Sequence, residues 1–201
     1  MPTRAFVAID LPAPARDLLE RALADFLEAD ASWRGEKAVA ARLFHVTLAF
    51  LGAVPDPVVP DLVERLRLAA ALATPFRLRL DGVRAVPSLG RARMLWATLS
   101  GDDGGAPALA QALARAAGLP EDGRRFHAHV TLARARGARP ACSGAVAAAA
   151  AVLSNAGKET DGVVSVRSVT VFSSTLGRCG PAYEPLAVLE LGGSAAGLAA
   201  D

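Results

Sequence analysis

The pentapeptide His-Val-Thr-Leu-Ala occurs twice in this chain, at residues 45–49 and 129–133. The chain has three histidines, and two of them open these copies. Successive side chains of a β-strand point to opposite faces. His45 therefore shares a face with Thr47, and His129 shares one with Thr131. Val46, Leu48, Val130 and Leu132 form the apolar back of the same strands. Each copy presents an imidazole and a hydroxyl on one surface, as a symmetric site with two proton-transfer groups requires.

The flanking segments repeat in the same order. Residues 4–11 read as a strand and residues 15–29 as a helix, with Leu18, Leu19, Ala22, Leu23, Phe26 and Leu27 at helical spacing. Residues 32–42, containing Trp33, read as an irregular connection. The first motif strand spans residues 43–51 and stops at Gly52 and Pro55. A second helix covers 57–73. Strands at 76–80 and 94–99 form an antiparallel pair joined by a Pro/Gly-rich loop at 86–91. A helix at 107–118, stopped by Gly118, leads to the second motif strand at 125–134. An Ala-rich helix at 140–156 and strands at 163–173 and 183–191 complete the pattern. Helix followed by His-x-Thr strand, twice over, predicts an α+β fold of two similar lobes with pseudo-two-fold symmetry. The two mainly antiparallel sheets face a central cleft, and the helices lie outside. Residues 1–191 read as one bilobal domain and residues 192–201 as a disordered tail.

Composition narrows the function classes. With 22 Lys and Arg against 20 Asp and Glu, the net charge of +2 is too small to argue by itself for nucleic-acid binding. Cys142 and Cys179 lack metal or redox spacing and read as reduced thiols or incidental residues. No segment is long and apolar enough for a membrane span, and the first residues lack a signal-peptide pattern, so the expected location is the cytoplasm.

Histidine exchanges a proton near neutrality. Two histidines across a cleft serve as general base and general acid in one in-line displacement, while threonine hydroxyls donate to phosphate oxygens. This chemistry needs no metal or other cofactor and suits a strained cyclic phosphate ester. A competing reading takes His127-Ala-His129, with His45, as ligands of a metallohydrolase. A non-catalytic RNA-end binder is a third.

At this point the chain resembles the 2H phosphoesterases, and within them the bacterial and archaeal RNA 2′,3′-cyclic phosphodiesterases, also known as 2′-5′ RNA ligases. The resemblance rests on both motifs, residues 44–52 (FHVTLAFLG) and 126–134 (FHAHVTLAR). It also rests on residues 4–12 (RAFVAIDLP), 94–97 (MLWA) and 172–183 (FSSTLGRCGPAY). It implies hydrolysis of RNA 2′,3′-cyclic phosphate ends to 2′-phosphomonoesters, with His45 as proton donor and His129 as proton acceptor. Ligation to a 2′-5′ linkage is the reverse reaction. The implied partner is RNA with a cyclic phosphate end, tRNA fragments included, acted on by a monomer. Another cyclic nucleotide or 2′-5′ oligoadenylate is the alternative substrate within the class.

Thr47 and Thr131 match the family's phosphate-holding threonines. Strict alternation turns Arg134 away from the site, yet the resemblance places an arginine there, as a phosphate contact or a surface cation. His127 shares the His129 face by alternation and reads as a rim residue contacting substrate. The chain departs from the family at Ala49, where Lys is common, and at Ala128, where Pro is common. The first change removes one possible phosphate contact. Phe50 and Trp96 read as core residues before base-stacking ones, Trp33 as a lid over one lobe's core, and Tyr183 as structural. Arg91 and Arg93 read as part of a solvated turn.

Overall fold

The computed structural model of the protein describes residues 2–101, 104–120, 123, 125–156, 160–177 and 180–192. Cys179 and, beyond Gly192, the segment expected to be a disordered tail lie outside them. The first sheet-forming strand, β1 (Pro2–Asp10), is followed by α1 (Ala13–Ala29), the two-residue β2 (Lys37–Ala38), β3 (His45–Pro55) and α2 (Val59–Ala71). The middle of the chain forms β4 (Phe76–Val86), β5 (Ala92–Ser100), α3 (Gly105–Ala116), β6 (His129–Arg139) and α4 (Ser143–Ala156). Strands β7 (Val163–Val166), β8 (Ser168–Gly177) and β9 (Gly180–Glu190) follow.

The strands form two antiparallel sheets, ordered β3-β1-β8-β9 and β2-β6-β5-β4-β7. The α+β, two-sheet fold expected from the repeat is present, but the sheets do not follow the halves of the chain. Both ends of the chain build the first sheet, and the middle builds most of the second. The repeated unit is strand, helix, motif strand, helix: β1-α1-β3-α2 and β5-α3-β6-α4. Strands β3 and β6 approach each other between the sheets.

Local sequence explains the elements. β1 lies inside its sheet and is buried continuously from Ala5 to Ile9, which accounts for its apolar run. α1 opens behind Pro12 with Pro14 in its first turn, where no intrahelical N–H is lost. It buries Ala15, Leu18, Leu19, Ala22, Leu23 and Phe26. This face packs on α4, whose small residues Ala145 and Ala149 allow close approach, and α4 packs on β4. On the other side α2 packs on α3 and β9. Among the described residues, no helix is long and apolar enough to cross a membrane.

Three expectations change. The strand expected at 163–173 is two strands in different sheets, broken at Arg167. The burial phase shifts there, from Val164 and Val166 to Val169 and Val171. Residues 125–128 are not strand, and β6 begins at His129 and continues to Arg139. The connection containing Trp33 is not irregular throughout. Its Lys37 and Ala38 pair with Arg134 and Ala133, adding β2 to the edge of β6.

Candidate active site

Within the repeated motif of both strands, one extra residue interrupts the alternation. Across the β1–β3 ladder Asp10 pairs with His45, Ala8 with Thr47, Val7 with Ala49 and Phe6 with Phe50. Leu48 is left without an opposite number, as in a β-bulge. The β5–β6 ladder repeats this: Thr98 pairs with His129, Trp96 with Thr131, Leu95 with Ala133 and Met94 with Arg134, leaving Leu132 over. The first six residues of both strands show the same burial sequence, with two consecutive buried residues at the bulge.

Paired residues share a face. His45, Thr47 and Phe50 therefore lie on one face of β3, and His129, Thr131 and Arg134 on one face of β6. The bulge brings Arg134 to the site face, from which strict alternation would exclude it. It also turns Ala49, 6% exposed, into the core. The Ala49 side chain therefore does not face the site.

The two imidazoles are held alike. His45 Nδ1 lies 2.7 Å from the Leu43 carbonyl oxygen, and His129 Nδ1 lies 2.8 Å from that of His127. A carbonyl only accepts, so each Nδ1 carries the hydrogen and Nε2 is left to exchange a proton. His45 packs 5.0 Å from the Phe6 ring and edge-on to Tyr183 at 5.4 Å. His129 stacks on Trp96, with ring centroids 3.8 Å apart. Trp96 is thus a half-buried wall of the candidate site, not solely a core residue, and Tyr183 reaches the His45 ring.

Burial pushes both imidazoles below the usual histidine pKa of 6.5. The Nδ1 bonds to the Leu43 and His127 carbonyls oppose this. The Arg134 guanidinium adds to the lowering at both rings. His129 also lowers His45, and His127 lowers His129. The Asp10 carboxylate raises His45, and His129 has no acidic counterpart among its perturbing groups. Asp10 itself is anchored by the Arg16 guanidinium and by the Leu11 amide at 3.0 Å.

Each imidazole borders its own cavity. One of about 480 Å³ adjoins His129, with Trp96, His127, Arg84 and Asp81 on its walls. The other, of about 280 Å³, adjoins His45, with Asp10, Arg16, Arg42 and Tyr183. His127 is exposed and precedes the strand, so it reaches this rim from a loop. Arg91 and Arg93 are exposed outside these cavities. Among the described residues no group of three or more His, Cys, Asp or Glu gathers as a metal ion requires.

The segment missed by sequence reading buttresses this site. Trp33, 1% exposed, packs edge-on against Phe26 and donates from Nε1 to the Pro140 carbonyl at 3.0 Å. Glu36 accepts from the Arg136 amide at 2.8 Å and pairs with Arg139. The Val39 amide donates to the carbonyl of Leu132, the bulge residue, at 2.9 Å. Asp30 accepts from the Cys142 amide at 2.8 Å, just before α4. The segment is a clasp along the outer edge of β6.

Two half-buried histidines, each held through Nδ1 and each sharing a strand face with a threonine, form a candidate site of the kind expected of a two-histidine phosphoesterase. The LigT-like phosphoesterase family model matches residues 9–96 and 103–183, and the chain belongs to that family. An RNA 2′,3′-cyclic phosphodiesterase of Aeropyrum pernix is 35% identical over 146 residues, 71% of this chain and 79% of the relative. One from Archaeoglobus fulgidus is 28% identical over 93% of this chain and 99% of its own length. Among solved structures, TT0787 of Thermus thermophilus superposes with a TM-score of 0.69, at 26% identity over 94% of this chain and 98% of that one. Escherichia coli LigT complexed with phosphate gives 0.64, at 29% identity over 94% and 98%.

Proposed function

We propose that this protein hydrolyses RNA 2′,3′-cyclic phosphate ends to 2′-phosphomonoesters without a metal ion, using His45 and His129 as an acid–base pair. The observation that carries this reading is the duplicated imidazole geometry, each ring fixed through Nδ1 with Nε2 left for proton exchange. The relatives named as RNA 2′,3′-cyclic phosphodiesterases support the substrate class.

In the proposed reaction His129 Nε2 takes a proton from water as its oxygen forms a bond to phosphorus. The bond from phosphorus to the ribose 3′ oxygen breaks in line, and His45 Nε2 delivers a proton to that oxygen. Water has then been added across one ester bond, and solvent exchange returns both imidazoles to their starting states. Asp10 supports this assignment, because its carboxylate favours the charged form of His45. Thr47 and Thr131 donate to the non-bridging oxygens. Arg134 opposes the charge on phosphate, and His127 contacts substrate from the rim. Ligation, expected as the reverse direction, would proceed on the same groups by attack of an RNA 5′-hydroxyl, in place of water, on the cyclic phosphate. The new bond joins phosphorus to the 5′ oxygen, the bond to the 3′ oxygen breaks and His45 protonates that oxygen. A 2′-5′ linkage results, in competition with water. Residues 1–191 act as one bilobal domain, in a cytoplasmic monomer that works on cleaved RNAs such as tRNA fragments.

Incubation with an oligonucleotide ending in a 2′,3′-cyclic phosphate should yield a 2′-phosphate, in the presence of chelator as in its absence. His45→Ala and His129→Ala should each lower kcat by about 10²–10⁴ while the circular dichroism spectrum is kept. A 3′-phosphate product, chelator inactivation reversed by zinc, or full activity in either variant would refute the scheme.

A further inference from the structure

The two imidazoles meet aromatic rings in different ways. At His45 the Phe6 ring is tilted by 36° at 5.0 Å, and Tyr183 stands edge-on. Phe50, expected as a core residue, is 70% exposed and lies beyond Phe6 at 6.4 Å. At His129 the Trp96 indole lies within 21° of parallel, with ring centroids 3.8 Å apart. The ladder sets this contact: Thr98 of β5 is opposite His129 and Trp96 is opposite Thr131, so the four side chains share one face. The charged groups around His129 give its cation little support. Arg134 on β6 and His127 in the preceding loop both lower its pKa, and His45 on β3 is itself lowered by His129. On β4, Arg84 and Asp81 line the adjoining cavity, and the Asp81 carboxylate accepts from the Thr98 hydroxyl.

We propose that Trp96 is the positioning residue of His129: its indole face holds the imidazole and stabilises the imidazolium that forms as Nε2 takes a proton from water. The proposal rests on the RNA phosphodiesterase reading and deepens it. A cation within about 6 Å of an aromatic centroid is attracted by the ring quadrupole, most strongly over Trp. A neutral imidazole lacks that attraction, so the stabilisation grows as the proton arrives and acts on the transition state. A carboxylate in this place would also favour the cation, but it would hold His129 charged before the reaction. A base must begin neutral. The two histidines thus use different partners: the Asp10 carboxylate for the ring that starts charged, and the Trp96 indole for the ring that becomes charged.

The test compares wild type, Trp96→Phe and Trp96→Leu by NMR titration of the histidine rings and by kinetics on a 2′,3′-cyclic-phosphate oligonucleotide. Phenylalanine keeps an aromatic face, and leucine fills space without one. Trp96→Leu should move the His129 midpoint to lower pH and lower kcat by about 3- to 30-fold, with KM little changed. Trp96→Phe should restore most of both. In wild type, protonation of His129 should quench the indole emission, and His129→Gln should abolish that step. This second measurement does not depend on how a variant at residue 96 folds. An unmoved His129 midpoint in Trp96→Leu, or a wild-type emission without the step, overturns the role of Trp96 and leaves the phosphodiesterase reading standing. A loss carried by KM does the same, because it makes Trp96 a substrate contact. A wild-type protein that leaves the oligonucleotide intact, while the His129 midpoint still follows residue 96, overturns the phosphodiesterase reading and the catalytic use of the contact with it.

Discussion

At the scale of single residues, two imidazoles with the same Nδ1 restraint stand in different electrostatic surroundings. Burial and Arg134 lower both, and the Asp10 carboxylate raises His45. The productive state of an acid–base pair holds one proton between the two rings, so its population peaks between the two apparent pKa values. With both groups below 6.5 in the free protein, kcat/KM should be bell-shaped with its maximum on the acid side of 6.5. Arg134→Gln removes a cation that disfavours imidazolium, so both limbs should move to higher pH while KM rises. A pH–rate series on wild type and variant checks this, and limbs that stay in place would separate Arg134 from the histidines. The histidines and threonines were legible because the motif repeats. Asp10 was not, because only the ladder register sets it opposite His45.

At the scale of elements, the bulges decide which side chains the site receives. A bulge disrupts a ladder position, at a cost comparable to one hydrogen bond, about 0.5–1.5 kcal/mol. The extra residues Leu48 and Leu132 are 7% and 0% exposed. Burial of a leucine contributes about 1.5–3 kcal/mol, which offsets the interruption. The clasp from Asp30 to Val39 then covers the outer edge of β6. The Arg136 amide and the Arg139 guanidinium hold the Glu36 carboxyl below its usual 4.5. A carboxylate lowered in the folded state stabilises above its unfolded pKa, and this is lost as pH falls through the folded value. Glu36→Gln should therefore flatten the acid limb of the stability curve below pH 4.5. It should also speed hydrogen exchange of the Val39 amide, and exchange at the wild-type rate would show that β2 stays paired without Glu36. Neither device is legible in the sequence. One residue of bulge leaves the hydrophobic pattern almost unchanged, and two residues of strand are too few to show alternation.

At the scale of the whole molecule, the internal repeat is real but its copies are interleaved. The first sheet joins β1 and β3 to β8 and β9 from the far end of the chain. Buried residues of both sheets and all four helices belong to one continuous core. Neither sheet can form fully before the chain closes on itself, so heat should unfold the protein in a single cooperative transition. A fragment ending at Ser100 should not fold, because it lacks β6, β8 and β9. Calorimetry on both chains checks this, and two resolved transitions would mean that the lobes are independent. The repeated His-x-Thr strands and the α+β class follow from sequence alone, because strand alternation is a local property. Tertiary structure alone decided that Arg134 and Phe50 share the site face, that Asp10 meets His45, and that the chain ends close one sheet. Those outcomes depend on register and long-range pairing, which are set only when distant segments pack together.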